Sequence, residues 1–192
     1  GEKIVRIFKK GLQGRKTISA RNKYVFPGII DVHTHFNLKQ GINKTIDDFH
    51  SGSIASLAGG VTTFIDYITP EIGENIISAC KERINEALKD SLIDFSFHLC
   101  LVEFNKKIER QLDKIFALGI NSFKMYLVYK DKGWLSDDKE LFWAINAIKE
   151  RGGILEVHCE NDYIIEYLME KLKEQKKINY KFHADSRPDF VE

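Results

Sequence analysis

The stretch Ile29-Ile-Asp-Val-His-Thr-His-Phe36 divides two regimes of sequence. Before it, residues 1 to about 28 hold short runs that alternate apolar and polar side chains: Lys3 to Phe8, Lys16 to Ala20 and Tyr24 to Phe26. Gly11, Gly14 and Pro27 punctuate them. Short alternating runs between turn residues predict a small antiparallel sheet. From Gly28 onward, short apolar runs alternate with longer helical patterns, the signature of βα units around a parallel sheet.

Five such units follow. After the first strand, a helix is expected over about Asp47 to Ala58, stopped by Gly59-Gly60. The second strand is Val61 to Ile68, and its helix carries Ile76, Ile77, Cys80, Ile84 and Leu88 as one apolar stripe. The third strand spans Leu92 to Val102, with a helix bearing Ile108, Leu112, Ile115 and Phe116. The fourth, Gly119 to Val128, leads to a helix that opens at Asp137 with Glu140 three residues on, a capping-box-like start, and presents Leu141, Ile145 and Ile148. Gly152-Gly153 ends it, and the fifth strand is Ile154 to Cys159. A last helix over about Tyr163 to Leu172 dissolves into Lys173-Glu-Gln-Lys-Lys177, a charge run that reads as a solvated helix end.

Five parallel units fit an open doubly wound sheet or part of a (β/α)8 barrel. The open sheet calls for a Gly-rich phosphate loop after an early strand, and neither G-x-G-x-x-G nor G-x-x-x-x-G-K-[ST] is present. A barrel needs about 250 residues, so the barrel reading predicts that these 192 residues are an incomplete member. Composition narrows the function classes. Apolar residues at 43% suffice for a core. With 29 Lys and Arg against 28 Asp and Glu, the charge balance argues against a nucleic-acid binder. No apolar run approaches the roughly 18 residues of a membrane span, and the first residues lack the pattern of a secretory signal. Cys80, Cys100 and Cys159 are an odd number and far apart, which suits reduced thiols in a cytoplasmic protein.

Three features carry possible chemistry. His33 and His35 stand two apart on one strand and so share a face, and neutral imidazoles are good ligands for zinc-like ions. Lys124 interrupts the apolar strand Ser122-Phe-Lys-Met-Tyr-Leu-Val128, where an ammonium is costly to bury unless it is paired, reaches the strand end or is chemically altered. His158 ends the fifth strand. Taken singly, each has a plainer account: histidines beside a surface loop, a snorkelling lysine, a satisfied half-buried histidine. All three, however, fall at carboxyl ends of strands, where active sites of α/β folds gather, and together they read as a metal site.

Their order and context resemble the dihydropyrimidinase and hydantoinase family of the metal-dependent amidohydrolase superfamily. Val25-Phe-Pro-Gly-Ile-Ile-Asp-Val-His-Thr-His-Phe36 resembles the family's first-strand motif, and Gly60-Val-Thr-Thr-Phe-Ile-Asp66 its second strand. Ile120-Asn-Ser-Phe-Lys-Met-Tyr-Leu-Val-Tyr129 is similar to the segment holding its carbamylated bridging lysine. Val157-His-Cys-Glu-Asn161 is similar to its fifth-strand histidine motif, and His183-Ala-Asp-Ser-Arg-Pro188 to the approach to strand six.

The resemblance implies a partial (β/α)8 barrel over residues 29–192, preceded by part of an N-terminal β-sandwich domain over residues 1–28. It implies that His33 and His35 bind one divalent metal ion, most simply Zn2+, that Lys124 as a carbamate bridges two, and that His158 binds the second. Tyr129 would stabilise the oxyanion, which favours a dihydropyrimidinase or hydantoinase over an allantoinase or dihydroorotase. The substrate would be a small cyclic amide, a 5,6-dihydropyrimidine or 5-substituted hydantoin opened to an N-carbamoyl amino acid, and the assembly a homo-oligomer, a tetramer in the family. A further histidine ligand on strand six and a proton-shuttling aspartate on strand eight are implied beyond the five units, so the 192 residues alone are expected to be inactive. The alternative is a non-catalytic, dihydropyrimidinase-related scaffold protein. His50 and His98 have no matching role; helix-surface and strand-packing positions are expected for them, and structural ones for Asp31 and Asp66.

Overall fold

The rhythm after Gly28 folds as one parallel sheet. The computed structural model describes residues 3–9, 11, 14–40 and 42–192. Among these, β1 (Ile29–Thr34), β2 (Val61–Ile68), β3 (Asp94–Cys100), β4 (Ser122–Tyr126) and β5 (Ile154–His158) lie side by side in chain order, each parallel to its neighbour. A doubly wound sheet reverses its strand order at a switch point. This one never does, as strands laid successively around a barrel do not. A two-residue antiparallel pair, Lys39–Gln40 with Asn43–Lys44, follows β1.

Between the strands run α1 (Phe49–Ala58), α2 (Ile76–Asp90), the short α3 (Lys106–Glu109) and α4 (Leu112–Ala117), and α5 (Asp138–Lys149); α6 (Asp162–Glu174) follows β5. Side-chain caps set their starts by satisfying otherwise unpaired backbone N–H groups. Asp48 accepts from the Ser51 N–H while the Ser51 hydroxyl accepts from the Asp48 N–H, so α1 begins one residue after Asp48. Asn75 caps α2, Asn161 caps α6, and Asp137 accepts from the Glu140 N–H at 2.7 Å as its spacing predicts. The single helix expected to bear Ile108 through Phe116 is instead two, parted at Arg110 and Gln111, although Ile108, Leu112 and Ile115 are all buried. In α2, Leu88 departs from the stripe and is 67% exposed. It stands about 120° around the helix from Ile76, whereas Ala87 returns to within about 20° and takes the buried place.

The helices cover one face of the sheet. Phe64, Phe97, Leu99, Phe123, Met125 and Ile148 form the centre of that core with Phe49 from α1. Gly52 shows how tightly α1 seats: a Cβ there would meet the Phe36 ring at 2.2–2.7 Å. That ring is itself held edge-on against Phe49 and Phe64, with centroids 6.0 and 5.0 Å away. Alanine usually improves on glycine inside a helix by about 1 kcal/mol, but here overpacking outweighs it. Gly52→Ala is expected to lose about 1–2 kcal/mol net, lowering Tm by about 2–8 °C in a thermal melt.

The small sheet expected from the alternating runs before Gly28 is not formed. No strand lies among the described residues there, and Ile4, Val5, Tyr24 and Val25 are exposed. An alternating pattern stabilises a strand only by burying one face against a partner, and none of these side chains is buried. At the two edges of the main sheet, Ile29, Ile30 and Val32 of β1 and Ile154 of β5 are also exposed.

Candidate metal centre

Alternation along each strand sends every second side chain to the face away from the helices. Register then groups them across strands. Tyr67 pairs with His98, His98 with Ser122, Cys100 with Lys124, Lys124 with Glu156, and Tyr126 with His158. Tyr67, Cys100 and Tyr126 form part of a second, smaller core on this face. A polar face has thus been built by parallel register out of residues up to 125 positions apart, from His33 to His158.

His33 and His35 are brought together. Their Nε2 atoms are 3.2 Å apart, the rings nearly perpendicular at 82°, and both imidazoles are open to solvent. Two nitrogens bound to one tetrahedral zinc at about 2.0–2.1 Å would lie about 3.3–3.4 Å apart, so the pair fits a shared cation. Burial holds the His35 pKa below the usual histidine range, helped by the positive neighbours His33, Arg83 and Lys124 against Asp66. A neutral ring is the form that ligates.

The backbone around the pair is pinned by Asp66, which is 1% exposed. Its carboxylate accepts from the Thr34 hydroxyl at 3.0 Å, the Phe36 N–H at 2.7 Å and Arg83 Nη2 at 2.8 Å. Asp66 therefore holds the residues on both sides of His35 and is structural, as expected. Asp31 accepts from the His33 N–H at 3.1 Å.

Lys124 lies on the same face, partly exposed, between Cys100 and Glu156 in register. His158 ends β5 on that face too, but its Nε2 meets Glu160 Oε2 at 2.5 Å, and Glu160 is paired in turn with Arg187 Nε at 3.2 Å. Among the described residues, no three His, Cys, Asp or Glu side chains converge on one point. The histidine pair is assembled; His158 is not joined to it.

Tyr129 sits just beyond β4 with φ +70°, a left-handed backbone that costs a tyrosine energy and marks a site held by its surroundings. Its N–H donates to Asp162 Oδ1 at 2.8 Å, and its ring lies 5.4 Å from the His158 ring. Burial first, and Glu160 second, push its pKa up, so the phenol stays protonated and able to donate.

Comparison with known proteins places this geometry. Residues 24–189 match the profile of the Amidohydrolase family. The chain belongs to the amidohydrolase family. The D-hydantoinase of Geobacillus stearothermophilus is 39% identical over 180 residues, 93% of this amidohydrolase chain and 38% of the relative. The dihydropyrimidinase of Rattus norvegicus is 33% identical, covering 94% and 35% respectively. The crystal structure of D-hydantoinase from Bacillus sp. AR9 superposes with TM-score 0.89 at 33% identity, covering 95% of this chain and 40% of that one. The chain thus spans under four tenths of the length of the curated relatives named here, and its fold is a partial (β/α)8 barrel.

Three residues of the amidohydrolase face escape a reading of the sequence alone. Tyr67 Oη is 2.8 Å from Glu156 Oε2 and 3.1 Å from His33 Nδ1. Glu156 Oε1 is 2.8 Å from His98 Nδ1, whose other nitrogen donates to the Val32 carbonyl at 2.9 Å. His98 is buried as expected, yet it packs through these bonds rather than as an inert ring. The available signal was parity, since Tyr67, His98 and Glu156 occupy the strand positions that face Lys124.

Proposed function

We propose that the protein carrying this chain is a metal-dependent cyclic amidohydrolase that opens 5-substituted hydantoins or 5,6-dihydropyrimidines to N-carbamoyl amino acids. The observation that carries the reading is the convergence of His33 and His35 Nε2 atoms at 3.2 Å on the face that also bears Lys124. The names of the relatives, D-hydantoinase and dihydropyrimidinase, support the substrate class.

In this reading His33 and His35 hold one divalent cation. Lys124, after its neutral amine adds CO2 and loses a proton, offers two carboxylate-like oxygens that bridge to a second. His158 completes that second site once its Nε2 leaves Glu160. Zn2+ suits the imidazole-rich donor set; when bound, such cations supply a Lewis acid for the ring carbonyl and lower the pKa of water to about 7. Tyr129 donates its O–H to the carbonyl oxygen as negative charge grows there, which an ordinary loop tyrosine with a relaxed backbone would do less well. Tyr129→Phe is expected to lower kcat about 10²–10³-fold, with a smaller change in KM, in steady-state assays.

The same reading extends to a homo-oligomer, a tetramer by analogy, to a cytoplasmic setting for the free thiols Cys80, Cys100 and Cys159, and to residues 1–28 as part of a β-sandwich domain. No helix among the described residues is long and apolar enough to cross a membrane. The deciding experiment incubates the full-length protein with Zn2+ and bicarbonate, then with hydantoin, dihydrouracil, allantoin and dihydroorotate. Ring opening of the first two supports the reading; turnover of allantoin or dihydroorotate alone, or of none, overturns it.

A further inference from the structure

A closed circuit of hydrogen bonds crosses the polar face. It runs from the Val32 carbonyl on β1 to His98 on β3, to Glu156 on β5, to Tyr67 on β2 and back to His33 on β1. Ser122 Oγ, 2.7 Å from His98 Nδ1, braces it from β4. We propose that Tyr67 and Glu156 are positioning residues that fix His33 as the tautomer whose Nε2 is bare, ready for a divalent cation. The inference rests on the reading of His33 as a cation ligand.

The argument is a count of hydrogens. A phenol has one, and Tyr67 gives it to the Glu156 carboxylate, which only accepts. The 3.1 Å contact between Tyr67 Oη and His33 Nδ1 then requires the imidazole to donate. A neutral imidazole carries a single N–H, so with Nδ1 protonated its Nε2 is a free lone pair, and Nε2 is the atom that meets His35. Tyr67 is buried, and burial together with the Glu156 bond pushes its pKa up, so the hydroxyl keeps the hydrogen it donates. Orienting partners of this kind set both the ring direction and the basicity of a ligating histidine. Neither residue touches the cation or the substrate; both act through His33.

The test reads the tautomer directly, in the metal-free full-length protein labelled with 15N-histidine, through its two-bond 15N–1H couplings. The wild type is expected to have His33 protonated at Nδ1. Tyr67→Phe removes that acceptor, and the ring should revert to the Nε2–H form that free histidine favours. Glu156→Met leaves the Tyr67 hydroxyl without its acceptor, so it turns and donates to Nδ1, again forcing Nε2–H. Zn2+ affinity, measured by chelator competition, should fall about 10–100-fold in each single variant. The double variant should be no weaker than the weaker single one, because both remove one chain. A His33 tautomer unmoved by Tyr67→Phe, affinities within twofold of wild type, or losses that add in the double variant would each overturn the proposal. Failure of the underlying reading looks different: the wild type would bind no Zn2+ while Tyr67→Phe still moved the tautomer.

Discussion

Lys124→Ala is expected to abolish cyclic-amide hydrolysis and to lower bound metal from two ions to at most one per chain. Lys124 is the one position on β4 where the polar face carries an amine, set between Cys100 and Glu156 in register. Alanine supplies no carbamate oxygens, so a second cation loses its bridge and Tyr129 loses the reaction it assists. The rate loss should exceed the about 10²–10³ that removal of a single oxyanion donor costs. Lys124→Arg keeps the positive charge but forms no carbamate, so it should be as inactive as alanine; this separates the chemistry from simple electrostatics. Because Lys124 is partly exposed, stability should change by less than about 1 kcal/mol, and a melt of the alanine variant guards against misfolding as the cause. A Lys124→Ala protein with wild-type turnover and two bound ions would sink the carbamate assignment.

Arg83→Met should be the most damaging substitution for the fold. Arg83 comes from α2, its Nη2 reaching Asp66 Oδ1 at 2.8 Å with side chains 14% and 1% exposed. It also donates to the Phe36 carbonyl and lies over the Phe49 ring, 4.3 Å from its centroid. Methionine can keep much of the contact with Phe49, but Asp66 would remain as a buried carboxylate without a counter-charge. Removing one partner of a buried pair costs about 3–5 kcal/mol, a fall of roughly 1–3 M in the urea midpoint. Asp66→Asn combined with Arg83→Met should recover part of that loss, since no lone charge is then buried. Asp66 also grips Thr34 and Phe36, so Zn2+ affinity at His35 should weaken in the same variant. A loss under about 1 kcal/mol would mean that Asp66 is stable without its partner.

What could be read from the sequence follows the range of the signal. β2 was legible residue for residue, Val61–Ile68, because the glycines before it and its own apolar run are both local. β3 and β4 are shorter than their apolar runs. Leu101, Val102 and Val128 are buried after the ladders end, and hydrophobicity reports burial rather than pairing. The runs before Gly28 show the converse, a pattern of strand character without a partner to bury against. At the site, His33 and His35 were legible because two residues on one strand share a face whatever the fold. Tyr67 and Glu156 lie 89 positions apart and meet only through register, so neither drew notice as chemistry. The Glu160 grip on His158 was equally hidden, since a carboxylate two residues on from a histidine has no fixed direction once the strand has ended.

The division of each strand into a greasy side and a chemical side carries an evolutionary consequence. Deleting one residue within β4 would invert its parity, swinging Phe123 and Met125 out into water and driving the Lys124 ammonium among the helices. Such a lineage would lose solubility and reactivity in a single step. Changes of chain length are therefore tolerable only in the connections, and variation between descendants of this chain should concentrate there while strand lengths stay constant.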